Sequence, residues 1–216
     1  SNEAADITIT SYAEDEISIS YQINNYLKET ELIDGTEYTH YSINDESNSK
    51  KQRYPELPNI RRSIIIPNDK KMDVQIISKD VLTIENVDII PSKGILPRTV
   101  NPEDVPYTFD DIYTKNTWYP TTFATLDDPY ILRDFRAQVI QINPIQYNPA
   151  EHKIKIINSI EIRVFSTGPG EQNVIETQKT EHNINKEFNK VYTQHFLNYE
   201  QVLSDDKYTP VPEQGN

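Results

Sequence analysis

The chain has 216 residues and a formal net charge of −13, from 34 acidic against 21 basic side chains. That surplus repels phosphate backbones and anionic lipid, and no apolar run approaches the roughly 20 residues a spanning helix needs, so nucleic acid and membrane insertion are set aside. Cysteine is absent, which removes disulfides, thiol chemistry and thiolate metal sites, while 36% hydrophobic and 25% charged residues suit a globular chain long enough to bury a core.

Along the chain, alternation of apolar and polar residues dominates, and a period of two is the mark of a half-buried strand. Residues 7–10 and 17–23, both rich in Ile, Ser and Thr, flank Ser11 to Glu16 and predict a first hairpin. Asp34-Gly35 is a turn. Asp45 to Lys51 is polar and aperiodic and reads as a mobile loop. Pro67-Asn68-Asp69 turns the chain into the alternating run Met72 to Ile76. Residues 91–122 carry Pro91, Pro97, Pro102, Pro106 and Pro120 with little alternation. A long irregular connection is expected there, and such a loop in a compact domain is usually functional. Residues 138–147 and 153–165 flank Asn148 to His152 as a second hairpin, and Gly168-Pro169-Gly170 marks another turn. From Ile184 to Leu203 the period changes: Ile184, Phe188, Val191, Tyr192, His195, Phe196 and Tyr199 fall three and four apart, predicting a helix over 184–200. The polar tail from Ser204 to Asn216 holds Pro210 and Pro212 and is expected to be extended. The fold class is therefore all-β: an antiparallel β-sandwich, jelly-roll-like, with one short helical segment near the C-terminus.

Catalytic groups do not converge in this sequence. There is no Gly-x-Ser-x-Gly, no phosphate-cradling glycine loop and no cysteine. His40, His152, His182 and His195 are scattered, without the i, i+4 spacing of a zinc helix, and read as structural. Clustered oxygens suit calcium, and Asp110-Asp111, Asp127-Asp128 and Asp205-Asp206 are such pairs. Each lies near a turn or a proline, where solvated turn carboxylates are the simpler reading. No metal or cofactor is expected, and the chain reads as no enzyme. Ser1-Asn2 reads as a scar ahead of a trimmed chain, so the lack of a secretion signal says little about export.

Residues 88–165 carry a recognisable series of motifs: Asp88-Ile89-Ile90-Pro91-Ser92-Lys93-Gly94, Asn101-Pro102-Glu103-Asp104-Val105-Pro106-Tyr107, and Ala124-Thr125-Leu126-Asp127-Asp128-Pro129-Tyr130-Ile131-Leu132-Arg133-Asp134-Phe135-Arg136, followed by Gln146-Tyr147-Asn148-Pro149. With Leu57-Pro58, Arg62-Ser63 and Phe196-Leu197-Asn198-Tyr199-Glu200, they resemble the propeptide of gingipain cysteine peptidases. The likeness covers about residues 55–210, and the first 50 residues match in strand pattern alone.

The resemblance implies an inhibitory, folding-assisting propeptide over residues 1–207, lying against its own downstream catalytic domain, a caspase-like cysteine peptidase absent from this chain. It implies export through the periplasm of a Bacteroidetes-type bacterium to a secreted or cell-surface location; a monomer is expected. In the family a basic residue stands on an inhibitory loop, and Arg98, between Pro97 and Thr99, matches it; Lys93 is a second, weaker candidate. A guanidinium can pair with a carboxylate in a specificity pocket, and prolines lower the ordering cost of binding. Lys207-Tyr208-Thr209-Pro210-Val211 resembles the start of the mature enzyme behind a basic cleavage residue. Lys207 is then the processing site, and residues 208–216 are the stub of the mature peptidase. The alternative is a carbohydrate- or surface-binding sandwich, with Tyr12, Tyr21, Tyr26, Tyr38, Tyr41, Trp118 and Tyr119 as a sugar platform.

Overall fold

Residues 5–176 and 186–204 are described by the structure, a computed structural model. In chain order its strands are β1 (Ala5–Ala13), β2 (Glu16–Ile23), β3 (Leu27–Ile33), β4 (Thr36–Ser42), β5 (Ser47–Asn48), β6 (Pro58–Ile65), β7 (Lys70–Glu85), β8 (Ala124–Leu126), β9 (Tyr130–Leu132), β10 (Phe135–Ile142), β11 (Ile145–Asn148) and β12 (Lys153–Pro169). Two helices follow, α1 (Lys186–His195) and α2 (Tyr199–Ser204). One five-stranded sheet has the order β1-β2-β12-β11, with β7 along the other edge of β12. A second runs β5-β6-β10-β8, with β9 also on β10, and β3-β4 forms a separate two-stranded arm. All of these strand pairs are antiparallel. The expected all-β sandwich is the fold observed.

The period-two residues explain why the sheets face each other. Ile17, Ile19, Tyr21 and Ile23 of β2 and Ile160, Ile162 and Val164 of β12 turn inward against Ile60 and Ile64 of β6 and Ile140 and Ile142 of β10. Each such side chain contributes about 1.5–3 kcal/mol on burial, and isoleucine's stiff branched stem suits a pleated wall. A second core, beneath the long irregular connection, gathers Tyr41, Leu57, Val87, Ile89, Ile145, Tyr147, Ile154 and Ile156.

Four expectations require correction. The first hairpin turns within Glu14-Asp15, because β1 runs on to Ala13 through a bulge between Ile9 and Ser11. The run 138–147 is two strands: β10 belongs to the second sheet, and the chain crosses at Asn143-Pro144 into β11, which pairs with β12 in the first. Proline cannot continue a ladder, which is why the crossover falls there. Residues 45–51 contain β5 on the edge of β6, and the Arg62 guanidinium clasps Glu46 at 2.5 and 3.1 Å. The helical segment is two helices, broken at Phe196–Asn198 where the chain lies along β6.

The β3-β4 arm, unforeseen as a pair of strands, closes through Asp34-Gly35 with φ of 49° and 82°. Positive φ at both central residues is what a two-residue turn matching strand twist requires, and Asp-Gly supplies it with least strain. The 91–122 connection contains no strand; it has short 3-10 turns at Pro102–Asp104 and Asp111–Thr114 and isolated bridges at Pro91 and Tyr119. No helix among the described residues is long and apolar enough to cross a membrane.

Candidate functional site: a tethered loop presenting Arg98

The first half of the irregular connection leaves the body of the protein at Ser92 and rejoins it at Phe109-Asp110. Both feet stand on one residue. The Arg53 N–H donates to the Ser92 carbonyl at 2.8 Å, the Arg53 carbonyl accepts from the Asp110 N–H at 3.0 Å, and Arg53 Nη2 donates to the Phe109 carbonyl at 2.9 Å. Ser92 also donates its N–H to the Tyr54 carbonyl at 2.8 Å. Arg53 holds a φ of 72°, a left-handed conformation that a non-glycine residue keeps only where its surroundings enforce it. Gly94 has φ of +80°, and a Cβ there would sit 3.0 Å from Gln52 Cβ, so glycine is required where the loop departs.

Aromatic rings fasten the returning foot to the body. Phe109 packs on Tyr38 of β4 at 5.3 Å and edge-on to Tyr113 at 4.9 Å, and Tyr113 meets Tyr147 at 6.1 Å. The Tyr113 hydroxyl donates to the Ile89 carbonyl at 2.9 Å, and burial pushes its pKa upward, so it remains a donor at any ordinary pH.

A second tie crosses the neck. Lys93 Nζ donates to the Pro102 carbonyl at 2.8 Å and sits 3.9 Å from the centre of the Tyr107 ring. The Tyr107 hydroxyl in turn donates to Glu31 Oε2 at 2.9 Å, which fixes the neck to β3 of the arm. Beyond it the chain projects into solvent. Ile95 is 87% exposed, Pro97, Arg98 and Thr99 are exposed, and the Val100 N–H donates to the Pro97 carbonyl at 3.0 Å. Arg98 and Thr99 are thus the central pair of a β-turn at the tip. Among the described residues, none forms a hydrogen bond or ion pair with the Arg98 side chain.

Arg98, Pro97 and Thr99 therefore share the tip, whereas the Lys93 ammonium is directed into the neck. Lys207 and Tyr208 lie outside the described residues. Sequence reasoning missed Arg53, Tyr107 and Glu31: their partners lie 56 and 76 residues away, and no local pattern marks such a contact.

The other candidates have structural partners. His152 Nδ1 meets Asp88 Oδ1 at 2.7 Å, the same oxygen that accepts the Tyr147 hydroxyl at 2.7 Å. His40 faces Asn48 and Glu56, and His195 Nε2 meets the Tyr130 hydroxyl at 2.9 Å. His182 and the pair Asp205-Asp206 are outside the described residues. Asp110 caps the second 3-10 turn and Asp127 pairs with Arg61. Among the described residues, no group of three or more His, Asp or Glu side chains converges as a cation site. The aromatic residues named as a sugar platform are dispersed: Tyr21 and Tyr41 are buried, and the Tyr26 hydroxyl donates to the Ile157 carbonyl at 2.6 Å.

The chain belongs to the C25 peptidase propeptide family, whose model, Propeptide_C25, matches residues 3–205 and so reaches the N-terminal strands that carried no legible motif. Gingipain R1 of Porphyromonas gingivalis is 35% identical to it over 169 residues, 78% of this chain and 16% of that protein. The Lys-gingipain of the same species is 24% identical over 164 residues, 72% of this chain and 9% of that protein. The chain thus spans less than a quarter of the length of the curated relatives it matches. In a complex of the P. gingivalis RgpB pro- and mature domains, one chain superposes with a TM-score of 0.82 and 28% identity, covering 90% of this chain and 97% of that one. A structure bearing on the zymogenic latency of gingipain K shares the fold, with a TM-score of 0.64 and 20% identity over 78% of this chain and 95% of that one. The chain is a propeptide of the gingipain type.

Proposed function

We propose that this propeptide keeps a secreted, gingipain-like cysteine endopeptidase latent and assists its folding. In this reading the sandwich docks on the catalytic domain that follows it in the precursor, and the loop over residues 93–107 lies across the active site. The Arg98 guanidinium enters the specificity pocket as a substrate mimic, pairing with a carboxylate at its base through parallel N–H donors. Pro97 restricts the backbone on one side of the blocked bond and Thr99 follows on the other. Release comes with cleavage after Lys207, which would make Tyr208 the first residue of the mature enzyme and residues 208–216 its stub. The precursor would pass through the periplasm to the outside or the cell surface, with the propeptide a monomer bound to its own peptidase.

The observation that carries this reading is the position of Arg98: an exposed cation, without an ion-pair partner among the described residues, at the tip of a loop tied down at both feet and at the neck. A charge held out in this way has little to contribute to the domain's own stability and much to offer a partner pocket. The RgpB pro- and mature-domain complex and the gingipain K latency structure support the same partner class by similarity. The test is inhibition in trans: the purified chain, titrated against the peptidase encoded downstream of it, should abolish hydrolysis of a small substrate stoichiometrically. Full activity at saturating propeptide would refute the reading.

A further inference from the structure

The neck of the loop is a clasp, and its effect differs from that of the tip. The Lys93 ammonium joins Pro102 to the start of the loop and lies on the Tyr107 ring, whose hydroxyl is anchored on Glu31. These contacts close a ring around residues 94–101 without any covalent link. At its far end the Arg98–Thr99 amide is the middle peptide of the turn closed by the Val100 N–H and the Pro97 carbonyl.

A peptide that is to be cut must lie extended in the cleft, giving its backbone N–H and C=O groups to the enzyme as an added strand would. In a turn the flanking groups are spent on each other, here the Val100 N–H on the Pro97 carbonyl, and the chain direction reverses within four residues. Straightening the tip requires its two stems to separate, and that is the movement the neck opposes. If the bond is hydrolysed, one water adds across the Arg98 carbonyl carbon and the Thr99 nitrogen, giving a carboxylate and an amine. The clasp still holds these new ends near each other, since Lys93 lies on one fragment and Pro102 on the other.

We propose that Lys93 is a positioning residue that makes the Arg98 loop an inhibitor rather than a substrate, acting with Tyr107 and Glu31 by keeping the neck closed. This rests on the reading of Arg98 as the pocket residue for its purpose, though not for its physics, since any endopeptidase that cuts after arginine will meet the same turn.

Trypsin is therefore the probe. The full chain and its Lys93→Met and Lys93→Arg variants are digested, and the initial rate of cleavage at Arg98–Thr99 is read by mass spectrometry against sites outside the loop, Arg133 among them. Lys93→Met should be cut at Arg98 about tenfold faster than wild type, with rates elsewhere unchanged. Lys93→Arg should stay within about threefold of wild type, because a guanidinium can donate to the Pro102 carbonyl and stack on Tyr107. A wild-type rate at Arg98 in Lys93→Met overturns the proposal. If Lys93→Met accelerates cleavage everywhere, Tyr107→Leu decides instead: it removes the ring beneath the ammonium, and an unchanged Arg98 rate there also overturns the clasp. The pocket reading fails separately, through an Arg98→Ala variant that inhibits the peptidase as well as wild type.

Discussion

The side-chain amide of Asn198 pairs with both backbone groups of Ile65: Oδ1 accepts from its N–H at 2.8 Å and Nδ2 donates to its carbonyl at 2.8 Å. Asn198 thus imitates a strand along the edge of β6, and the Leu197 N–H continues the imitation by donating to the Ser63 carbonyl at 2.9 Å. This is why the helical segment breaks at 196–198, and it docks α1 and α2 onto the second sheet. Asn198 is 1% exposed, so its loss leaves two backbone groups without partners at about 1–3 kcal/mol each. Asn198→Ala should lower the melting temperature by several degrees, at about 2–4 °C per kcal/mol for a chain of this size. It should also speed limited proteolysis within 186–204 before any other segment. A melting temperature within a degree of wild type would count against the anchoring role.

Arg136 joins three carbonyls in the same region. The residue is 1% exposed, and its guanidinium donates to the carbonyls of Pro67 at 2.8 Å, Lys70 at 2.7 Å and Gln172 at 2.9 and 3.3 Å. It binds the β6-β7 turn to the chain leaving β12. Arg136→Met keeps most of the volume and removes every donor, so a loss of about 3 kcal/mol or more is expected in urea unfolding. A change under about 1 kcal/mol would show that water replaces the guanidinium without penalty.

Those two residues show what the sequence could and could not convey. Ile17, Ile19, Tyr21 and Ile23 revealed the sandwich because a strand's burial is written in its own alternation. The motif from Ala124 to Arg136 was legible as a family mark, but its reasons lie elsewhere in the fold. Phe135 centres an aromatic cluster with Tyr192 at 5.0 Å and Phe196 and Tyr199 both at 5.8 Å, and Asp134 accepts the Tyr192 hydroxyl at 2.6 Å. β6 was missed because Arg61 and Arg62 interrupt its alternation, Arg61 pairing with Asp127 at the surface and Arg62 with the buried Glu46 carboxylate. The exposure of the Arg98 loop followed from its prolines. The clasp did not, since a bond from Tyr107 to Glu31 has no local signature.

Acid should weaken the region under the loop. Burial alone would raise the Glu56 carboxyl, but the His40 hydrogen bond and the Lys50 ammonium, 3.2 Å away, outweigh it and hold the pKa below its ordinary 4.5. A carboxyl depressed by folding stabilises the native state above its unfolded pKa, and that stability is lost as pH falls through the folded value. The melting temperature of wild type should therefore fall more steeply below pH 4.5 than that of Glu56→Gln, with the gap between them widest at neutral pH. Parallel profiles over pH 3–7 would exclude the linkage.

Processing offers a fourth check. Cleavage after Lys207 requires the mature peptidase to begin at Tyr208, and Lys207→Ala should leave the precursor uncut at that bond. N-terminal sequencing decides the matter, and a start more than a few residues from Tyr208 would refute the assignment.

The central claim is that Arg98 blocks the peptidase. Removing one partner of a desolvated, charge-assisted contact costs about 2–5 kcal/mol, and about 1.4 kcal/mol is tenfold in affinity. The measurement is a titration of the cognate peptidase with wild-type and Arg98→Ala propeptide, alongside their melting temperatures. The account predicts an inhibition constant at least about thirtyfold weaker for Arg98→Ala with melting unchanged; equal inhibition constants would mean that the docking surface alone blocks the enzyme and that this loop does not enter its pocket.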